Sequence, residues 1–320
     1  MKIFLAPMDG LTDHIMRETL TRIGGIDVCV TEFVRITSAL LPEKVYYRMC
    51  PELRHGGKTL SGVPVRIQLL GSDPLCLADN AALASSLGAP GVDLNFGCPA
   101  KTVNRHNGGA VLLTDPENLY NIVKTVRQTM PESTPLSAKM RLGYEDKSLA
   151  LACAEAIEAG GANELFVHAR TKTEGYKPPA YWDWIAKIKD VVNLPVVANG
   201  EIWTYQDYLN CKEQSQCDDV MLGRGLLSNP SLAHRCKNNE QSDDVYSAEW
   251  SGLLAEIELF FNAVRGEMEP KCAAGRLKQW LRYLVREYSE AEGFFDSIRK
   301  EKNPQLISEA IKECRLTYIM

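Results

Sequence analysis

Short apolar runs alternate with longer amphipathic stretches through the first two-thirds of the chain. Runs at Ile3–Ala6, Val28–Glu32, Val65–Leu70, Val92–Phe96, Leu136–Arg141, Leu165–His168, Pro195–Ala198 and Val220–Gly223 are partly β-branched or aromatic. Gly, Pro or polar residues bound them, so the pattern predicts strands. Helical periods lie between them. Asp13–Arg22 is one; Pro74–Leu87 follows a Ser72-Asp73 cap, and Pro116–Met130 follows Thr114-Asp115 in the same way. Ser148–Ala159 stops at Gly160-Gly161, and Tyr205–Glu213 follows Thr204. The stretch from Leu40 to Ser61 has no clear period and reads as an irregular excursion.

Strands that alternate with helices describe a parallel β/α protein, and eight is the number that closes a barrel. An open doubly wound sheet is the other arrangement, but no GxGxxG opens the first helix. The fold expected is therefore α/β, a TIM (β/α)8 barrel followed by a small all-helical C-terminal domain. The change comes after Gly225. Lys237–Asp244 is polar and reads as a linker; beyond it only helical periods appear, at Ala248–Arg265, Cys272–Tyr288 and Pro304–Cys314. The division expected is a barrel over 1–240 and a helical domain over 241–320.

Composition adds little to the fold and more to the function. The 320 residues are 45% hydrophobic and 24% charged, ample for a large core. The net charge is −5 and the pI about 5.7, so a general basic coat for nucleic acid is excluded and the position of the cations becomes the question. Ten cysteines are scattered without CxxC or zinc-finger spacing, which points to reduced thiols and a cytoplasmic protein without a metal. The apolar run at the N-terminus is short and broken by Pro7 and Asp9, and no run of about 18 apolar residues exists, so no membrane span is expected.

Barrels of this class carry their reactive groups at the C-terminal ends of the strands. Those ends read Pro7-Met8-Asp9-Gly10, then Gln68, Asn95-Phe96-Gly97-Cys98-Pro99, Lys139 with Arg141, His168-Ala169-Arg170, Asn199-Gly200-Glu201 and Gly223-Arg224-Gly225. The glycine turns after strands seven and eight, with Arg224 beside them, suit a phosphate, although the same glycines suit plain tight turns. Lys139 offers a positive charge to an anionic cofactor edge such as that of reduced flavin, and His168 a donor beside it. Cys98 stands out. Gly97 and Pro99 set the chain direction around it tightly, which is how a thiol is aimed into a mouth to give a proton or to attack.

Taken together, PMDGLTD (7–13), TEFVR (31–35), RIQLLG (66–71), VDLNFGCPAKTV (92–103), AKMRLGY (138–144), VHARTKTEGY (167–176), NGEI (199–202) and MLGRG (221–225) resemble the tRNA-dihydrouridine synthases over nearly the whole barrel. GRLKQWLRYL (275–284) resembles the C-type bacterial subfamily, which acts on uridine 16 of the D-loop. The resemblance implies FMN as cofactor and NADPH as electron donor. It implies FMN contacts from Pro7, Met8, Asp9, Gln68, Lys139, His168, Asn199, Gly200, Glu201, Gly223 and Arg224. It makes Cys98 the acid that protonates uracil C5 after flavin N5 delivers hydride to C6. It places Arg35, Asn95, Tyr176, Arg276, Lys278, Tyr283 and Arg299 against tRNA, with no obligate protein partner and a monomer expected. The loop Asn104–Gly109 departs from the family's glycine-rich pattern; Arg105 and His106 read as a variable loop tip, and Asn107 is able to take a left-handed conformation.

The helix Cys272–Tyr288 answers the charge question. At about 100° per residue, Leu277, Trp280, Leu281, Leu284, Val285 and Tyr288 fall on one side. Arg276, Lys278, Gln279, Arg282, Tyr283 and Arg286 fall on the other, with no carboxylate until Glu287. Two other functions stay open at this point: a small-molecule FMN oxidoreductase of the dihydroorotate-dehydrogenase type, which needs no basic helix, and a tRNA-binding protein without catalysis, which needs no strand-end chemistry.

Overall fold

A computed structural model describes residues 1–240 and 246–318. Its first feature is a closed barrel of eight parallel strands in chain order: β1 (Ile3–Leu5), β2 (Val28–Arg35), β3 (Val65–Leu70), β4 (Val92–Phe96), β5 (Leu136–Arg141), β6 (Glu164–His168), β7 (Val196–Asn199) and β8 (Val220–Leu222). Ile3 pairs with Val220 and closes the ring. Every expected strand is present. β2 runs to Arg35, beyond the expected Glu32, through a register irregularity between Val30 and Phe33. Such an irregularity lets a strand bend and continue.

Helices follow in chain order: α1 (His14–Ile23), α2 (Glu43–Met49), α3 (Pro74–Ser86), α4 (Lys101–Arg105), α5 (Pro116–Thr129), α6 (Ala150–Ala159), α7 (Trp182–Val191), α8 (Tyr205–Ser215), α9 (Arg224–Ser228) and α10 (Leu232–Asn238). Their starts follow from capping chemistry. The Asp73 carboxylate accepts from the Cys76 amide ahead of Pro74, and the Asp115 carboxylate accepts from the Asn118 amide ahead of Pro116. The stretch from Leu40 to Ser61 is not irregular throughout: it holds α2 and a 3-10 turn at Pro51–His55, anchored where the Tyr46 hydroxyl donates to Asn80 Oδ1 at 2.5 Å. The helix α7 was not singled out by periodicity.

Inside the barrel, Phe4, Ala6, Val30, Phe166, Val197 and Met221 form a buried cluster, with Phe4 and Phe166 edge to face at 4.9 Å. Beneath them Arg66 pairs with Glu164 at 2.6 Å and lies over both rings. Alternation along a strand then sends the next inward positions to the open end.

The remaining helices are α11 (Tyr246–Glu267), α12 (Pro270–Leu284), α13 (Ser289–Ile298) and α14 (Pro304–Thr317). α13 was not anticipated. α12 starts earlier and stops earlier than its expected span, because Pro270 suits a first turn. By backbone proximity the chain forms two compact units, one of residues 1–14, 26–202 and 206–223, the other of 15–25, 203–205 and 224–320. Of the expected linker Lys237–Asp244, residues 237 and 238 belong to α10 and 241–244 lie outside the described residues. In the second unit Trp280 is buried, its Nε1 donating to the Leu227 carbonyl at 3.2 Å and its ring edge-on to Phe260 at 4.8 Å.

Candidate active site

β4 carries Asp93 and Asn95 two residues apart, so both side chains take the same side of the sheet. Asn95 Oδ1 accepts from the backbone amides of Gly97 at 3.0 Å and Cys98 at 2.9 Å. That bond pair pins the turn on which Cys98 sits. The Cys98 carbonyl is held in turn by Asn104 Nδ2 at 2.9 Å and by the Ala110 amide at 3.1 Å. Gly109 adopts φ +70°, and a Cβ there would stand 2.8 Å from the Cys98 carbonyl oxygen, so the close approach requires glycine. Asn107, at φ 57°, takes the left-handed conformation expected of it, and Arg105 and His106 are exposed.

The thiol of Cys98 is half-buried. Burial pushes it up from its ordinary value, the Ala100 amide draws it down, and the charges of Asp9, Arg141 and Arg35 bear on it. A thiol held high in this way stays protonated at neutral pH and has a proton to give. Arg141, nearly buried, donates from Nε to the Gly97 carbonyl at 2.8 Å. Its guanidinium also donates to the carbonyls of Thr171 at 3.0 Å and Gly175 at 2.9 Å and lies over the ring of Tyr176 at 5.1 Å. Sequence reasoning noted Arg141 but gave it no task.

Lys139 lies next to Asn95 in register. Its ammonium donates to Asn199 Oδ1 at 2.9 Å, and Asn199 Nδ2 donates to the Met221 carbonyl at 2.7 Å. Desolvation, and then the positive charge of Arg141, bring the Lys139 ammonium down to about 8. His168 is buried beside Asn199 in register, with its ring edge-on to Tyr176 at 6.0 Å. The turn after β7 is left-handed at both Gly200 (φ +115°) and Glu201 (φ 58°). Glu201 accepts from the buried Arg170 at 2.5 Å. After β1, the Met8 carbonyl accepts from the amides of Leu11 and Thr12 at 2.9 and 3.0 Å, which folds Pro7-Met8-Asp9 into a tight rim. Gln68 is buried opposite Asp93 in register, while Arg35 and Tyr176 are exposed. The barrel mouth thus gathers Pro7, Met8, Asp9, Gln68, Asn95, Cys98, Lys139, His168, Asn199, Gly200, Glu201 and Gly223. Arg224 opens α9 in the second unit, its guanidinium 4.9 Å over the Trp203 ring.

In the second unit an open concavity of about 570 Å³ is lined by Gly275, Lys278, Gln279, Arg282 and Tyr283 of α12. All of these but Gly275 are residues of the expected basic face. One member is corrected: Arg276 is not on that face but 8% exposed, lying over the Phe260 ring at 5.3 Å and donating to Gln279 Oε1 at 3.0 Å. Position 276 is one turn before the buried Trp280, about 40° round the helix from it, so it stands at the border of the two faces and its side chain turns in over Phe260. Lys278 donates to the Glu301 carbonyl, and Arg282 lies over Phe295 at 5.6 Å. Arg299 is exposed in the residues after α13.

Comparison with known proteins places the chain in a family. The sequence profile described as Dihydrouridine synthase (Dus) matches residues 4–303. The chain belongs to the dihydrouridine synthase family. A tRNA-dihydrouridine(16) synthase from Aquipseudomonas alcaligenes is 53% identical over 97% of this chain and 99% of that protein. One of the same name from Neisseria meningitidis serogroup B is 49% identical over 98% of this chain and 94% of that protein. Among solved structures, an old yellow enzyme homologue from Zymomonas mobilis aligns with TM-score 0.53 at 12% identity, over 75% of this chain and 89% of that one. A 2-naphthoyl-CoA reductase aligns with TM-score 0.57 at 13% identity, over 74% and 50%. Those two similarities show the barrel fold.

A flavin suits the residues of this dihydrouridine synthase family member. A Cβ at Gly200 would stand 3.3 Å from His168 Nε2, and one at Gly223 would stand 3.3 Å from Met8 Sδ, so glycines keep a cradle open between β6, β7, β8 and β1. Lys139 and the amide groups of Asn199 and Gln68 are the mixed donor set that a flavin's pyrimidine edge takes.

Sequence reasoning missed Asp93 and Ser137, and it named Arg170 at a strand end without giving it a task. A charged residue inside an otherwise apolar strand, VDLNF, is the signal that marks Asp93.

Proposed function

We propose that this protein reduces a D-loop uridine of tRNA, position 16, to 5,6-dihydrouridine, with FMN as cofactor and NADPH as the source of electrons. One observation carries the reading: Cys98, with its thiol held protonated, sits on a turn fixed by Asn95 and Arg141 at the mouth of a barrel that also presents Lys139. The high identity to proteins named tRNA-dihydrouridine(16) synthase supports it over nearly the full chain.

The chemistry follows from uracil. Its C4 carbonyl polarises the C5–C6 bond, so saturation requires hydride at C6 and a proton at C5. A flavin held by these residues would supply the hydride. Cys98 gives its proton to C5, remains as the thiolate and is reprotonated from solvent. Lys139 places positive charge where an anionic cofactor edge needs it, and Pro7, Met8, Asp9, Gln68, His168, Asn199, Gly200, Glu201 and Gly223 form the cradle. Arg224, carried over from the resemblance, binds the phosphate. The uridine must leave its stack to enter the mouth; Asn95, Arg35 and Tyr176 receive it. The barrel does this chemistry in the cytoplasm, and the helical unit holds the tRNA through Lys278, Tyr283 and Arg299 by charge and shape. The concavity on α12 suits a phosphate backbone, because Lys278 and Arg282 flank an aromatic ring there.

The test is to incubate purified FMN-loaded protein with NADPH and unmodified tRNA and to map dihydrouridine by mass spectrometry. Dihydrouridine at position 16 is expected. Reduction of free pyrimidines with tRNA untouched would favour the dihydroorotate-dehydrogenase type instead, and tRNA binding without any reduction would favour a non-catalytic protein.

A further inference from the structure

The buried carboxylate of Asp93 has no role in the site described above, yet its hydrogen bonds lead to Cys98. Its Oδ1 accepts from the Ser137 hydroxyl at 2.7 Å, and its Oδ2 accepts from Gln68 Nε2 at 2.7 Å. Gln68 Oε1 accepts from Asn95 Nδ2 at 2.7 Å. Asn95 Oδ1 then accepts from the Gly97 and Cys98 amides. Neighbouring registers make this possible: Asp93 pairs with Gln68 on one side and Ser137 on the other. Asp93 is fully buried, and desolvation lifts its carboxyl above the usual carboxylate range; the hydrogen bonds from Gln68 and Ser137, then the charges of Arg66 and Lys139, work the other way and favour the ionised form in which both oxygens accept.

A side-chain amide is nearly symmetric in shape, and its two ends are chemically opposite. With only each other for partners, Gln68 and Asn95 could choose either end; the chain is held at its two ends, by the Asp93 carboxylate and by the Gly97 and Cys98 amides, which only donate. A carboxylate only accepts, so it forces the Gln68 nitrogen toward itself. That forces the Gln68 oxygen toward Asn95, the Asn95 nitrogen toward Gln68, and the Asn95 oxygen toward the cysteine turn. We infer that Asp93 is a positioning residue: through Gln68 and Asn95 it sets the direction of a hydrogen-bond relay that fixes the backbone of Cys98. Each amide is left with one further N–H. Asn95 Oδ1 already serves two amides, so Asn95 meets a base as a donor, to a uracil carbonyl. This last point rests on the proposed substrate.

Four variants of the FMN-loaded protein, Ser137→Ala alone among them, separate the relay from simple packing. Asp93→Asn keeps the direction if its NH2 turns to the Ser137 oxygen, whose own hydroxyl can then donate to the Val92 carbonyl, 3.5 Å away. In Asp93→Asn combined with Ser137→Ala that partner is gone, the NH2 turns to Gln68, and the relay inverts until the Asn95 nitrogen faces two backbone N–H groups. Asp93→Leu, apolar but larger than aspartate, removes the directing group altogether, and its melting temperature reads the packing cost. The measurements are amide exchange at Gly97 and Cys98, kcat and KM for tRNA, and melting temperature. Asp93→Asn should stay within about threefold of wild type in kcat. The double variant should lose at least about tenfold more than the product of the two single losses, in kcat and not in KM, with faster exchange at both amides. Asp93→Leu should lose about 100-fold in kcat, and it stands in if the double variant does not fold. Equal losses for Asn and Leu, multiplicative single effects, or unchanged amide exchange would overturn the relay. Exchange is read without tRNA turnover, so an absence of dihydrouridine formation in the wild type would defeat the proposed function and leave the relay measurable.

Discussion

Arg141 Nε donates to the Gly97 carbonyl at 2.8 Å, and this one bond couples the cysteine turn to the loop after β6. The same guanidinium holds the Thr171 and Gly175 carbonyls and covers Tyr176. A lysine in its place has neither the fork nor the plane to serve several carbonyls and a ring at once. Arg141→Lys should therefore lower the melting temperature, by unsatisfied carbonyls worth about 1–3 kcal/mol each. It should also slow uridine reduction by roughly 100-fold. Thermal melts and single-turnover rates check both.

Removal of the proton donor should separate the two halves of the reaction. In Cys98→Ala, dihydrouridine formation should fall by about 10²- to 10⁴-fold. NADPH oxidation by oxygen without tRNA should stay near the wild-type rate. A comparable fall in both rates would assign Cys98 to the cofactor site instead of to the base.

The depressed value of Lys139 predicts a pH dependence. Its folded value of about 8 lies below the ordinary 10.5, so the folded protein releases this proton first. The cofactor-free protein carries the penalty of the buried charge below about 8 and sheds it as pH rises toward 10.5, so the Lys139 contribution to stability increases through that window. FMN affinity should move the opposite way, weakening as pH rises through about 8, because the neutral amine no longer attracts an anionic edge. Fluorescence titration of FMN between roughly pH 7 and roughly pH 9 checks this, and Lys139→Met should flatten the change.

The helical unit offers a contrast between two cations two residues apart. Lys278→Glu should weaken tRNA binding at least about tenfold, with the effect shrinking at high salt, and leave FMN content unchanged. Arg276→Ala should instead destabilise the unit by about 1–3 kcal/mol, since the side chain is buried over Phe260 and donates to Gln279. Filter binding and melting temperature separate the two outcomes.

The sequence alone determined the barrel. Its strands are local, β-branched runs whose burial on both faces leaves an apolar signature, and helix starts such as Asp73-Pro74 and Asp115-Pro116 are written in adjacent residues. Cys98 was legible for the same reason: glycine before it and proline after it act on the backbone directly. What only the tertiary structure decided are the partnerships across strands. Asp93 meets Gln68, Lys139 meets Asn199, and Arg141 meets Gly97, each at a separation of 25 to 60 residues. The side on which Arg276 lies was likewise decided by packing. Period arithmetic assigns a direction to each side chain, whereas burial depends on what stands opposite, and only a closed barrel or a folded helical unit supplies that neighbour.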